Sequence, residues 1–234
     1  MKRFYKEATS APREAGGFAI LLDGRPVRTP KRAELRLPSR ALAEAVAEEW
    51  AAQGERIVPA SMPLARLANT AIDWVAPERR RICDLVAGYG ETDLICYLAP
   101  EPEELAARQA ALWRPLMDWA SRRYDARLRS TRALQPIPQD PQALAALRRA
   151  VEQRDDMALM ALHDLVTIGG SLVIGLALAE GEIDLEQGWS AALAEELFQA
   201  DRWGEDEEAA ARRSRLKGEV AAALRFQELL SRAE

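Results

Sequence analysis

The segment Phe18-Ala19-Ile20-Leu21-Leu22-Asp23-Gly24-Arg25-Pro26-Val27-Arg28-Thr29 decides the architecture. Phe18, Ile20 and Leu22 alternate with a period of two, which puts them on one face of a strand. Asp23-Gly24 is a favoured dipeptide for a two-residue hairpin turn, because both central residues there take positive φ. Residues 26–29 begin a return strand, and 33–37 read as a third, with Leu35 and Leu37 on one side. A small antiparallel sheet is expected. Ser39 then supplies a helix N-cap and Gly54 a stop, so 40–53 is expected to be a helix lying across that sheet.

Beyond Gly54 nearly every segment reads as helix punctuated by Pro or Gly. The expected helices cover 63–75, 77–86, 102–124 with a kink at Pro115, 141–153 opened by Asp140, 184–203 capped by Asp184, and 205–231. Residues 156–179 read as one helix or a pair interrupted at Gly169-Gly170. Segment 127–133 alternates weakly and is a candidate strand returning to the sheet. The expected fold class is α+β: a small α/β domain over 1–60, with an antiparallel sheet and a helix, then a mainly helical domain over 61–234.

Composition narrows the function classes. The 234 residues are 48% hydrophobic and 29% charged, a globular balance, with a net charge of −5. A general nucleic-acid binder would need a surplus of cations to displace counterions from phosphates. The longest uncharged apolar stretch, 165–179, contains three glycines and falls short of the roughly 20 residues that span a bilayer. Neither nucleic-acid binding nor membrane insertion is expected. The polar first residues carry no targeting signature, and two isolated cysteines, Cys83 and Cys96, suit reduced thiols. A bacterial cytoplasm is the expected location.

Catalytic signatures are sparse. A single histidine, His163, with two separated cysteines offers no zinc-ligand spacing, and a nucleophilic triad would need that same histidine. Ile168-Gly169-Gly170-Ser171 lacks the lysine and preceding strand of a phosphate loop, and reads as close helix packing. No metal and no cofactor are expected.

The informative residues are polar groups on apolar helix faces. At 100° per residue, Leu42, Val46 and Trp50 lie at roughly 0°, 40° and 80°, with Glu49 and Gln53 at roughly −20° and 20°. Over 184–203, Leu185, Trp189, Leu193, Leu197 and Trp203 form a stripe in which Glu196 falls at roughly 20°, between the two indoles, with Gln199 on its flank. A carboxylate so placed needs partners, since burying it unpaired is costly. Two accounts stand: an internal tie to an arginine at the seam between the domains, or a Trp-bearing face kept open for a protein partner.

Several motifs occur together and in order. They are Phe4-Tyr5-Lys6, Leu22-Asp23-Gly24-Arg25-Pro26 with Thr29-Pro30, Glu49-Trp50 with Gln53, Met62-Pro63-Leu64, and Leu67-Ala68-Asn69-Thr70-Ala71-Ile72-Asp73. Further along come Thr92-Asp93 with Cys96-Tyr97, Gln109 with Trp113 and Pro115, Trp119, Ser171-Leu172, and Glu195-Glu196 with Gln199, Trp203 and Gly204. Over nearly its whole length the chain resembles the assembly chaperones of the F-type ATP synthase that escort the alpha subunit of the catalytic head. Two departures are Ala65, where the family pattern has Thr, and the acidic run 205–208, where mitochondrial members carry a His-Asp element.

The resemblance implies a binding function without a chemical step: an ATP-independent chaperone, monomeric when free, that holds the alpha subunit and yields it to beta. It implies Glu195, Glu196, Gln199, Trp203 and Gly204 as partner-binding, and Trp50, Gln53, Asp73 and Asp93 as interdomain or structural. The alternative from another class is a small-molecule enzyme with an interdomain cleft, using Asp93 and Glu196 as acid and base.

Overall fold

The computed structural model describes residues 1–133 and 135–232. Its contacts divide the chain into two compact units. The first takes Met1–Arg79, Asp155–Ala161 and residues from 222 on; the second takes Arg80–Arg154 and Leu162–Ala221.

The first unit is built on a four-stranded antiparallel sheet. Strand β2 (Phe18–Leu22) is central, pairing with β1 (Ala8–Pro12) on one side and with the short β3 (Arg25–Pro26) and β4 (Arg36–Leu37) on the other. Phe18, Ile20 and Leu22 are buried, as the period of two requires, and Asp23 (φ 48°) with Gly24 (φ 75°) makes the hairpin turn. The Asp23 carboxylate also accepts the Lys6 and Glu7 amides at 3.0 and 2.9 Å. The third strand expected over 33–37 is shorter: Arg36–Leu37 pairs with β2, while Glu34 makes only a bridge with Arg28.

Helix α1 (Arg40–Ala51) begins at Ser39, whose hydroxyl accepts the Leu42 amide at 3.2 Å and donates to the Leu229 carbonyl at 2.7 Å. Its Leu42 and Val46 are fully buried. Helix α2 (Pro63–Thr70) runs on into a π-helical turn, Ala71–Val75.

The second unit is helical. It contains most of α3 (Arg79–Gly88), then α4 (Glu103–Tyr124), α5 (Pro141–Glu152), α7 (Leu172–Ala179), α8 (Leu185–Ala192) and α9 (Ala194–Trp203). Helices α6 (Asp156–Gly169) and α10 (Glu207–Ser231) contribute residues to both units. Ile82, Leu147, Leu162, Leu165 and Leu176 form part of this unit's core.

Three expectations are corrected. Segment 127–133 does not join the sheet; Thr131 instead makes a single parallel bridge with Tyr97, its amide donating to the Cys96 carbonyl at 2.9 Å. Its weak alternation buries only Ala126 beside it, too little apolar surface to anchor a sheet strand. Gly170 serves backbone conformation rather than close packing: its φ of 68° ends α6, and Ser171 caps α7 by accepting the Ile174 amide at 3.0 Å. Close packing falls instead at Gly175, where a Cβ would collide with Val166.

The third correction concerns 184–203, which is two helices meeting at Leu193 (φ −108°, ψ 26°). The Ala191 carbonyl, which an unbroken helix would offer to the amide four residues on, accepts the Trp113 indole N–H at 2.9 Å. A single 100° projection therefore fails across the junction. Trp189 is buried at 8% exposure while Trp203 is 73% exposed, so Glu196 does not sit between two packed indoles.

Candidate functional site

Five of the residues singled out in the sequence share α9 and its C-terminal stop. Glu195 and Gln199 are exposed and four apart, with Gln199 Nε2 donating to Glu195 Oε1 at 3.2 Å. Gly204 (φ 92°) ends the helix with its amide on the Ala200 carbonyl, and Trp203 projects beside it. An indole left in water at a helix end is an apolar surface with a polar handle, the chemistry of an interface anchor.

Glu196 has a different position from its neighbours. Its Oε1 accepts from Arg213 Nη1 of α10 at 2.9 Å, and Arg212 approaches Oε2 at 3.9 Å. Arg213 is the buried member of this cluster and also pairs with Glu205, the first residue of the acidic run. Both carboxylates hold its guanidinium charge and raise its pKa further. Sequence reasoning missed Arg213. Its signal was a cation seven residues before the buried Val220, on the same helical stripe.

Asp93 is fully buried in the second unit and spans two helix starts. It accepts from the Ile95 amide at 3.2 Å and from the Val173 amide at 3.1 Å, and Ser171 hydrogen-bonds to it as well. Burial pushes its pKa up to about 6 against the pull of those donors. Cys96, at the end of the 3-10 turn Leu94–Cys96 that Asp93 caps, is pushed up to about 12 by burial and by the Asp93 charge, which suits an inert thiol.

The other structural candidates lie in the first unit. Asp73 accepts from the Thr29 hydroxyl at 2.6 Å and the Lys31 amide at 2.9 Å, pinning the loop after β3 to the π-turn. Gln53, 6% exposed, bonds the Glu49 carbonyl, the Ser61 hydroxyl and the Val58 amide, closing the loop after α1. Trp50 packs edge-on to Tyr5 at 5.7 Å, and its carbonyl accepts the Tyr5 hydroxyl at 2.7 Å. Glu49 is half-buried, and its main tie is not an arginine. Its two oxygens accept the Leu64 and Ala65 amides at 2.8 Å each, so it caps α2.

For acid–base chemistry the geometry offers little. Asp93 is closed from solvent and Glu196 is engaged by Arg213. Neither lines the concavity of about 500 Å³ near Gly17, Leu37, Ile72 and Asp156. Among the described residues no group of three or more His, Cys, Asp or Glu is placed to hold a metal, and no helix is long and apolar enough to cross a membrane.

An α+β protein whose conspicuous polar groups tie backbone ends and one buried arginine, leaving an indole exposed, has the make-up of a binding protein. Residues 2–121 match the model of the ATP12 chaperone protein family. The chain belongs to that family of ATP synthase assembly chaperones. It is 23% identical over 224 residues to "Protein atp12, mitochondrial" of Schizosaccharomyces pombe, covering 89% of this chain and 75% of that one. The crystal structure of Atp12 from Paracoccus denitrificans superposes with a TM-score of 0.94 at 46% identity, covering 98% of each chain. A protein of Agrobacterium tumefaciens superposes with the same TM-score at 43% identity, covering 98% of this chain and 86% of the other.

Proposed function

We propose that the protein is an ATP-independent chaperone that binds the free alpha subunit of the F-type ATP synthase catalytic head and releases it to beta. The observation that carries this reading is Trp203, 73% exposed at the end of α9 in a chain of the ATP12 family. An isolated alpha subunit exposes surface meant for its neighbours, and open apolar surface drives aggregation. Binding that surface keeps alpha soluble by mass action, and beta displaces the chaperone through a larger interface. Trp203 is the anchor, Glu195 and Gln199 supply the polar rim, and Gly204 sets the direction in which the indole projects. Glu196 shapes the same surface through Arg213. No bond is made or broken, and no cofactor takes part. The free protein is a monomer that works in the bacterial cytoplasm.

Co-expression of alpha without beta tests this reading. Alpha is expected in the soluble fraction with the wild-type chain and in the pellet with Trp203→Ala. Equal precipitation with and without the chaperone rejects it.

A further inference from the structure

Strand β1 is an open edge. Among the described residues it pairs only with β2, in the register Ala8 to Leu22, Ser10 to Ile20 and Pro12 to Phe18. The flanking bonds, Asp23 amide to Glu7 carbonyl at 3.0 Å and Arg13 amide to Gly17 carbonyl at 2.9 Å, fix the alternation of the ladder. Residues 7, 9, 11 and 13 turn their backbone groups toward β2, so Ala8 and Ser10 turn theirs outward. Among the described residues nothing bonds to those outward groups. Pro12 holds the next outward position with a carbonyl and no amide, which ends the usable edge.

Helix α1 runs alongside. Ala8, Thr9 and Ser10 line a groove of about 310 Å³ whose other wall is Glu44, Ala47, Glu48 and Ala51, one helical face. Alanine at two of these four positions leaves room beside β1 at the roughly 4.8 Å spacing of a further strand. Glu44 and Glu48 are exposed, one turn apart, and neither has an ion-pair partner among the described residues. Like charges at that spacing cost a helix a few tenths of a kcal/mol. Arg40, one turn before Glu44 on α1, lies over the Phe18 ring at 5.2 Å, and Arg3 lies over the Tyr5 ring at 4.6 Å.

We infer that the β1 edge and the Glu44/Glu48 wall of α1 form a strand-addition site for an extended, Lys- or Arg-bearing segment of the client polypeptide. Backbone bonds to Ala8 and Ser10 give register without demanding sequence, and the glutamates select cations at the alternate positions that face α1. A second copy of this chain is a poor occupant. Its own β1, Ala-Thr-Ser-Ala-Pro, carries no cation, and symmetric pairing would bring both acidic walls onto one ribbon. The inference rests on the holding function proposed above for the identity of the client alone.

The test uses the full chain with two probes, the alpha subunit and a synthetic nine-residue peptide alternating Lys with Val. Amide hydrogen exchange at Ala8 and Ser10 is expected to slow at least tenfold with either. A peptide alternating Glu with Val should leave it unchanged. Ser10→Pro removes an outward N–H that the fold does not use, so it should weaken both complexes at least tenfold with an unchanged thermal midpoint. Should Ser10→Pro fail to fold, Glu44→Lys with Glu48→Lys is expected to lose the Lys-Val peptide and gain the Glu-Val one. Capture of alpha with exchange at Ala8 and Ser10 unchanged overturns the inference and leaves the holding function standing. Failure to capture alpha rejects that function, and the peptide arm then decides the site: no protection overturns it. Protection that depends on dimer formation by the free chain also overturns it.

Discussion

Arg213 of α10 keeps its side chain 9% exposed while its Nη1 donates to Glu196 Oε1 of α9 at 2.9 Å. The carboxylate at 196 is thus held by an arginine largely withdrawn from water. Removing one member of such a pair costs more than the pair contributes, because the other charge stays desolvated.

Glu196→Lys is therefore expected to destabilise the fold by roughly 1.5–3 kcal/mol, the range for a hydrogen bond to a charged group. Glu196→Gln, which keeps an acceptor, should cost less. Urea denaturation of the three proteins gives the comparison. A Glu196→Lys midpoint equal to wild type would show that the tie to Arg213 carries no weight.

Trp203 presents the opposite case. An indole 73% exposed contributes little packing, so Trp203→Ala should shift stability by no more than about 0.5 kcal/mol. Its effect should fall on alpha binding, seen in pull-down at matched concentrations. A destabilised Trp203→Ala protein would mean that the indole packs in solution.

The sign of the Asp93 effect follows from its raised pKa, about 6 in the fold against an ordinary 3.8. Between those values the native state binds more protons than the unfolded chain. The stability due to the neutral carboxyl is present below about pH 4 and lost as pH rises through about 6. Asp23 and Glu103 titrate in the opposite sense, held below their usual range by backbone amides and by Arg132 respectively, whereas burial raises Glu49 as it does Asp93. The diagnostic is the wild-type stability minus that of Asp93→Asn, which should fall as pH rises from 4 to 7. A pH-independent difference contradicts the assignment.

Glu49 caps α2 from a neighbouring helix, so Glu49→Ala leaves the Leu64 and Ala65 amides without their acceptor. A loss of roughly 0.5–2 kcal/mol is expected, as for other N-caps. Exchange at those two amides should quicken in the variant, and unchanged exchange would show that water replaces the cap without penalty.

Much of the fold is written in local chemistry. Ser39, Asp140 and Asp184 each cap the helix that their position predicts, and Asp23-Gly24 turns the hairpin. What escapes sequence reading is set by partners distant in the chain. The Ala8–Pro12 strand has no alternation of its own and exists because β2 offers an edge. The break at Leu193 follows from Trp113, far upstream, taking the Ala191 carbonyl. Glu49, Gln53 and Glu196 are legible as polar groups on apolar faces, but periodicity cannot distinguish backbone amides from an arginine as the group they meet. Trp203 was legible as an aromatic at helical spacing; its exposure was not, because the helix bends before reaching it.

The function proposed for this chain is to hold free alpha and give it up to beta. Light scattering of the alpha subunit diluted from denaturant, with an equimolar amount of the chain and no nucleotide, measures this most directly. Scattering should be suppressed, Trp203→Ala should fail to suppress it, and added beta should carry alpha out of the complex into an alpha–beta assembly. Scattering equal to that of alpha alone, or a complex that beta cannot dissociate, would contradict that function.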